Sequence, residues 1–586
     1  MADVAGSVQR PIEAIWRKQV ASFERNRQEQ HREAIKEWQL QQEENPRNPE
    51  SYIQPASHHQ QLGEHKKALE IVERGLHVCA PSSRLYRFAV MALAESNRTK
   101  EAIQTAQMAA ALFPEEALSF NLKAKLLLPV FYDTPEEITY YHDRFSTGIT
   151  ELLAELRLNT LHEKRRALNA ISDHSNFYLA QQGRDVFKLR LQYSQYVSKI
   201  VFANFPEWVK PAQMPRIAPG EKIRVGYISP HFEQHSDSKC FAGWLRECNR
   251  DVFDVFAFHV GGKSDTVTDE IAHMSGHFFH VPAELSQICA SIRNANLHIS
   301  VLLDHDSPLM AQLAALRLAP IQCAAWGRPF TSASPAMNYF LSSALAEPDD
   351  APQHYLEQLI RLPGIGICYY KPIIPRALLG LPRSAFGLRE DRTVYLCCQS
   401  LFKYLPKQDA ALVEIAKRNP DAQFAFLAPN DAIREDFRRR LGRAFADEKL
   451  DAVDHCVLIP RSLNSFDYWN LNLISDIYLD TFEFSGGVTT LEAIACGLPV
   501  VTLPGEFHRG RHSSAILRRL GVTETIAHSV EEYVEIAVGL GQDREWRAQI
   551  LQRMSAGHGS LFGDTSSVRA LEEFFLHVVR EAGAQS

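Results

Sequence analysis

Ser475-Asp-Ile-Tyr-Leu-Asp-Thr-Phe-Glu-Phe-Ser-Gly-Gly-Val-Thr-Thr-Leu-Glu-Ala-Ile-Ala-Cys-Gly-Leu-Pro-Val-Val-Thr-Leu-Pro-Gly-Glu506 is the stretch from which the rest of the chain can be read. An apolar strand over Ile477–Leu479 runs into the Gly486-Gly487 turn, the turn into a short helix, and the helix into a second strand over Pro499–Leu503. That is a βαβ unit, the building block of parallel sheets. Glycines at the turn let a ligand approach the backbone. The unpaired amides of Val488, Thr489 and Thr490 and the positive end of the helix dipole then face it. The matching guest is a phosphate or diphosphate. Glu492, about one turn further on, is placed to accept two hydroxyl hydrogen bonds from a ribose. Together these residues point to a nucleotide diphosphate held with its sugar. A tight strand-to-helix connection with no ligand satisfies the same letters.

Outward from this unit, the composition sets limits. A chain of 586 residues exceeds one hydrophobic core and implies about three domains. With 45% hydrophobic and 23% charged residues it is globular rather than disordered. A net charge of -7 offers no bulk attraction to nucleic acid, so any anion site is local. The opening residues Met1 to Pro11 lack a basic segment followed by an apolar core, and no apolar run approaches the ~20 residues of a membrane span. Ten scattered cysteines without a Cys-x-x-Cys pair read as reduced thiols, giving the expectation of a cytoplasmic protein.

Ala34, Ala68 and Ala102 recur every 34 residues inside similar helical segments, the period of tetratricopeptide repeats, with Leu62-Gly63, Pro81 and Pro114 in phase. Alanines falling by chance in an all-helical segment are the alternative. A Pro-bearing linker, Pro206 to Gly220, ends this region. Beyond it, apolar strands alternate with helical patterns: Ile223–Ile228, Phe253–Val260, His298–Leu303 and Ile321–Ala325, then Thr393–Cys398, Phe424–Leu427, Cys456–Ile459, Ile477–Leu479 and Pro499–Leu503. The alternation predicts an α/β protein with two parallel-sheet, Rossmann-like halves, divided near Pro375–Gly387 and flanking a ligand cleft. The expected division is an all-α region at 1–215, a first half at 216–380, a second half at 381–566 and a terminal helix at 567–586 that packs back across the first half.

Val225-Gly226-Tyr227-Ile228-Ser229-Pro230-His231-Phe232-Glu233-Gln234-His235, Leu302-Leu303-Asp304, Leu316 to Gln322, Gly327-Arg328-Pro329, Asn338 to Ser342, Leu401-Phe402-Lys403 and the opening stretch through Arg511 form an ordered series. In that order, and behind the repeats, it resembles the SPINDLY and O-linked GlcNAc transferase family, in particular its short-repeat bacterial members. The resemblance implies a GT-B fold and an inverting transfer to a Ser or Thr hydroxyl of a protein. It implies a nucleotide-sugar donor as co-substrate, UDP-GlcNAc first and GDP-fucose second, with no metal and no other cofactor. The protein or peptide acceptor would be held partly by the repeat region.

On that resemblance Lys403 corresponds to the diphosphate-binding lysine, with Ser400 beside it, His235 to the active-site histidine, Asp304 to a carboxylate proposed as base, and Arg511 to a phosphate-side arginine. His305 and Asp306 are rivals of Asp304. An ion pair of Arg511 with Glu506 and a packing role for Arg317 are the plain readings of those arginines. The donor site comprises Ser400, Lys403, Gly486, Gly487, Val488, Thr489, Thr490, Glu492 and Arg511; His235, Asp304 and Lys403 are the catalytic candidates. His273, His277 and His280 are too poorly supported by neighbours for a metal site, and Arg438-Arg439-Arg440 and Arg518-Arg519 read as solvated helix faces. The chain departs from the family pattern at Gly487, Val488, Arg328, Ser400 and His231. Two other readings therefore stand beside the transferase: a repeat scaffold that keeps the fold without turnover, and a GT-B enzyme acting on glycans, lipids or the nucleotide sugar itself.

Overall fold

The computed structural model describes residues 28–584 except 219, 375–379 and 461–464. The opening segment, the centre of the expected break at Pro375–Gly387 and the last two residues lie outside the described residues.

After a helix over 28–44, helices pair as Glu50–Gln61 with His65–Val78 and Ser83–Glu95 with Thr99–Leu112. Ala68 and Ala102 are fully buried where paired helices meet, which is what a small residue at that point permits. Ala34 is only half-buried. Longer helices, Pro135–Glu155 and Phe187–Asn204 among them, continue the region.

The first sheet contains β1 Ile223–Ser229, β2 Phe253–His259, β3 His277–His280, β4 Ile299–Leu302, β5 Ile321–Ala325, β6 Tyr339–Ser343 and β7 Gln358–Leu362. It runs in the order β3-β2-β1-β4-β5-β6-β7, parallel throughout. The second contains β8 Thr393–Cys397, β9 Ala422–Leu427, β10 Cys456–Ile459, β11 Ile477–Leu479 and β12 Val500–Val501, in the order β10-β9-β8-β11-β12, also parallel. β4, β5, β9 and β11 are buried at every residue, the signature of interior strands covered on both faces. Seven strands replace the four expected in the first half. β3, β6 and β7 are additional to the expected strands.

Strand order reverses between β1 and β4 in the first sheet and between β8 and β11 in the second. Loops leaving the C-terminal ends of strands at such switch points diverge and leave a crevice, where α/β proteins bind ligands. All the catalytic candidates lie on these loops.

The terminal helix Ser566–Ala584 does return to the first sheet: Phe575 packs on Phe253 and Phe574 on Tyr339, at ring separations of 6.3 and 5.0 Å, and Glu572 accepts from the Asn249 amide at 2.6 Å. The helical region touches both halves, through Arg190 on Asp306 and through Arg440 and Arg443 on the Asp431–Asp447 helix. Arg440 corrects the reading of its run as solvated. It is 3% exposed and chelates Asp409 at 2.7 and 2.9 Å, while Arg438 and Arg439 pair at the surface.

Candidate active site

The glycine turn is built around Asp480, the residue that follows β11. Its buried carboxylate accepts from the Gly486 amide at 2.8 Å, the Ser485 hydroxyl at 2.7 Å and the Thr502 hydroxyl at 2.8 Å. Burial pushes this carboxyl's pKa up, against the three donors. Gly486 is glycine because the protein itself crowds it: a Cβ would sit 2.4–2.5 Å from Gln399, Thr490 and Tyr478 side-chain atoms. Gly487 has nothing within 4 Å of the same position, so of the two glycines it is Gly487 that faces open space. The helix Val488–Cys496 begins there with no side-chain cap, leaving the amides of Val488, Thr489 and Thr490 directed at that opening. The threonine hydroxyls face the protein. Thr490 exchanges a hydrogen bond with Ser513 at 2.7 Å, and Thr489 accepts from Gln399 at 2.5 Å.

Lys403, just after β8, donates to Gln399 Oε1 at 2.8 Å and lies 4.5 Å above the Phe484 ring. Gln399 also donates to the Tyr478 hydroxyl at 2.6 Å. The lysine is thus two hydrogen bonds from the start of the 488–496 helix. Removal from water lowers its pKa to about 8, partly offset by the charge of Asp480. Ser400 is exposed, and it is Gln399 that couples the lysine to the turn. Glu492 is 4% exposed, with both oxygens engaged: Lys239 of the first half donates at 2.6 Å and Tyr468 at 2.9 Å. A ribose would therefore have to displace Lys239. Arg511 forms neither a phosphate fork nor a pair with Glu506. Its guanidinium donates to the carbonyls of Ala346 and Gly505 at 3.0 and 3.1 Å, tying the halves together.

Across the crevice, His235 caps the helix Ser236–Arg246, its Nδ1 accepting from the Asp237 amide at 3.2 Å. A neutral ring bonded this way carries its proton on Nε2, so it presents a donor to the cleft. His231 stacks on His235 at 4.0 Å, and burial and the neighbouring His235 take its pKa down to about 4. Asp304 is fully buried. Burial alone would raise its pKa, but Arg328, 3.4 Å away, and the Asp306 amide hold it at about 2. Fully buried and ion-paired with Arg328, Asp304 is engaged inside the protein, which weighs against it as the base. The rivals are structural as well: Asp306 pairs with Arg190, and buried His305 bonds the Arg328 carbonyl at 3.1 Å. Arg317 donates to the Pro335 carbonyl at 3.3 Å, a packing contact.

His231, His235 and Asp237 bring three potential metal ligands within 4.8 Å of one another. The nearly parallel imidazoles do not converge on one point, and Arg328 already lies 3.5 Å from the Asp237 carboxylate. His273, His277 and His280 diverge, bonding the Asp269 carbonyl, the Asp254 carboxylate and the Gly261 carbonyl respectively.

Sequence reading passed over Asp480, Gln399, Lys239 and the pair His508 and His512. For Asp480 a signal was present, a lone acid closing an apolar strand. For Lys239 there was none, since its partner lies 253 residues away.

The glycosyl transferase family 41 model matches residues 149–366 and 372–564, most of the chain. In Arabidopsis thaliana, the probable UDP-N-acetylglucosamine–peptide N-acetylglucosaminyltransferase SPINDLY is 28% identical over 339 residues, which are 56% of this chain and 36% of that protein. The one called SEC, from the same plant, is 25% identical over 355 residues, 58% of this chain and 35% of that protein. The matches thus span about a third of these relatives. A mutant O-GlcNAc transferase of Thermobaculum terrenum superposes with a TM-score of 0.66 at 20% identity, covering 97% of this chain and 98% of that one. That likeness establishes the GT-B architecture, with its two parallel-sheet halves behind a helical region. With its crevice built at two strand-order reversals and its family match running through both sheets, the chain belongs to glycosyl transferase family 41.

Proposed function

We propose that this chain is an inverting protein glycosyltransferase that moves a sugar from a nucleotide diphosphate to a Ser or Thr hydroxyl. One observation carries the reading: Lys403, through Gln399, is hydrogen-bonded to Thr489 at the start of an uncapped helix beside the open face of Gly487. An ammonium coupled to an uncapped helix start, with the amides of that start beside it, stabilises the charge that grows on a departing diphosphate. Such a site supplies what a divalent cation would, so transfer proceeds without added metal and survives chelator.

The donor diphosphate lies against the second half, 381–566, with its ribose on Glu492. The acceptor lies against the first, 216–380, where the Nε2–H of His235 orients the attacking hydroxyl. UDP-GlcNAc is the favoured donor, supported by the names of the relatives in Arabidopsis; GDP-fucose is the second. Paired helices of tetratricopeptide type beside the crevice suit an extended protein acceptor. A groove lined by Val90, Met91, Leu127, His174 and Asn176 opens beside Tyr178, which packs on Phe402 next to Lys403. No helix among the described residues is long and apolar enough to cross a membrane. The ten free cysteines support a reducing compartment, the cytoplasm of a bacterium.

Thermal-shift titration with UDP, UDP-GlcNAc, GDP and GDP-fucose tests the donor, because a ligand of the native state raises stability by RT ln(1 + [L]/Kd). One nucleotide pair stabilises the wild type, and Lys403→Ala loses most of that shift. Mass spectrometry of a co-expressed proteome then finds the sugar on Ser or Thr. No shift with any of the four defeats the donor site, and binding without transfer or donor hydrolysis leaves a scaffold.

A further inference from the structure

One ion pair crosses the crevice at the carboxylate assigned to the ribose. Lys239 stands on the helix Ser236–Arg246 of the first half, and its ammonium donates to Glu492 Oε1 at 2.6 Å, on the helix Val488–Cys496 of the second. Tyr468 donates to the other oxygen at 2.9 Å, so each oxygen of the carboxylate already has a donor.

The partners are unequally placed. The Glu492 side chain is 5% exposed and the Lys239 side chain 44%. A buried carboxylate abandoned by its donor loses hydrogen bonding that water cannot restore, whereas an ammonium on a flexible four-carbon stem returns to solvent easily. The lysine therefore leaves only when another donor arrives. The backbone beneath it is fixed to its own half. A Cβ on Gly243 would sit 2.0 Å from the Cys368 carbonyl oxygen, and Trp244 Nε1 donates to the Gly366 carbonyl at 3.2 Å, so the helix has no room to slide. Exchange is thus a swing of one side chain. Neutral hydroxyls, each a donor to the carboxylate, are a replacement that needs no counter-charge.

We propose that the Lys239–Glu492 ion pair is a latch: it occupies the ribose position in the free protein, and a nucleotide must release it to seat. This rests on the donor reading above, in which Glu492 receives the ribose, and it gives Lys239 a role that works against binding. A ligand whose site is open in only a fraction of the molecules binds more weakly by that fraction. A cation near a diphosphate site ordinarily strengthens anion binding through its field. The latch reverses that sign, because its lysine holds the carboxylate that the ligand needs.

Titration calorimetry with UDP, and in parallel with GDP, reads the sign. Lys239→Met binds the nucleotide that wild type prefers about three- to ten-fold more tightly, the worth of a partly exposed ion pair that no longer has to be broken. Lys239→Arg keeps the charge, grips the carboxylate with a two-donor fork and binds the nucleotide more weakly than wild type. In a Glu492→Gln background, where there is no ion pair to release, adding Lys239→Met brings no gain. Unchanged or weaker binding by Lys239→Met overturns the latch, as does a gain that persists beside Glu492→Gln. Should Lys239→Met fail to show a cooperative melt, Lys239→Arg decides, and affinity equal to or above wild type in that variant also overturns it. If wild type binds neither UDP nor GDP, the donor reading itself has failed and the latch falls with it.

Discussion

At the scale of single residues, charge state separates the candidates. The Lys403 ammonium is disfavoured by burial, and its pKa falls from 10.5 to about 8. In the free protein the unfolded chain then holds more protons between those two values, so this lysine makes stability rise with pH across that window. Binding runs the other way, since a diphosphate selects the protonated form. The affinity for UDP should therefore fall from about pH 8 upward, approaching ten-fold per pH unit, while Lys403→Arg flattens the profile because guanidinium does not titrate there. Calorimetry between about pH 7 and pH 9 checks it, and a flat wild-type profile would remove the lysine from the diphosphate. Asp304 behaves oppositely, its depressed pKa marking a carboxylate used as an ion. Asp304→Asn leaves Arg328 with weakened compensation and lowers the unfolding midpoint, and it leaves the pH dependence of transfer near neutrality unchanged. Activity following a lost ionisation in that variant would restore the residue as base.

Single elements show what can be read from letters and what cannot. The 475–506 unit was legible because an apolar strand, a glycine pair and a short helix each have a local signature, and β11 is found at the residues expected of it. β7 was not, because Gln358–Leu362 is a partly exposed edge strand and lacks the continuous apolar run of an interior parallel strand. Site chemistry followed the same rule. The uncapped helix start was visible in sequence, whereas the distinct roles of its glycines depend on side chains from β8 and β11. That difference is testable. Gly487→Ala meets no atom and has φ of -96°, so it should leave the unfolding midpoint unchanged while reducing nucleotide affinity at least several-fold, because the methyl occupies the approach to the amides. Gly486→Ala collides with Gln399, Thr490 and Tyr478 and should lower both, by about 1–3 kcal/mol in stability. Equal nucleotide binding by wild type and Gly487→Ala would place the diphosphate elsewhere.

For the whole molecule, the helical region acts as a brace on the crevice between the two halves. Arg440 has the helical phase of a core position, with Phe437 and Leu441 buried beside it, but its partner Asp409 and the carbonyls it reaches are distant in sequence. It donates to the Tyr132 carbonyl of the helical region at 2.7 Å and to the Tyr404 carbonyl at 2.8 Å, so one guanidinium fastens the N-terminal region to the loop that carries Lys403. Removing it strands the Asp409 carboxylate and two carbonyls in the interior, a loss of about 3–5 kcal/mol by the behaviour of buried pairs. Arg440→Leu should therefore lower the urea midpoint and weaken UDP binding although it touches no ligand. Adding Asp409→Leu removes the stranded charge and should recover much of the stability. Nucleotide affinity should stay low, because the Tyr404 carbonyl is still unheld. Recovery of both in the double variant would mean that the brace matters only for folding. Recovery of neither would mean that Arg440 acts mainly through the carbonyls and not through its ion pair.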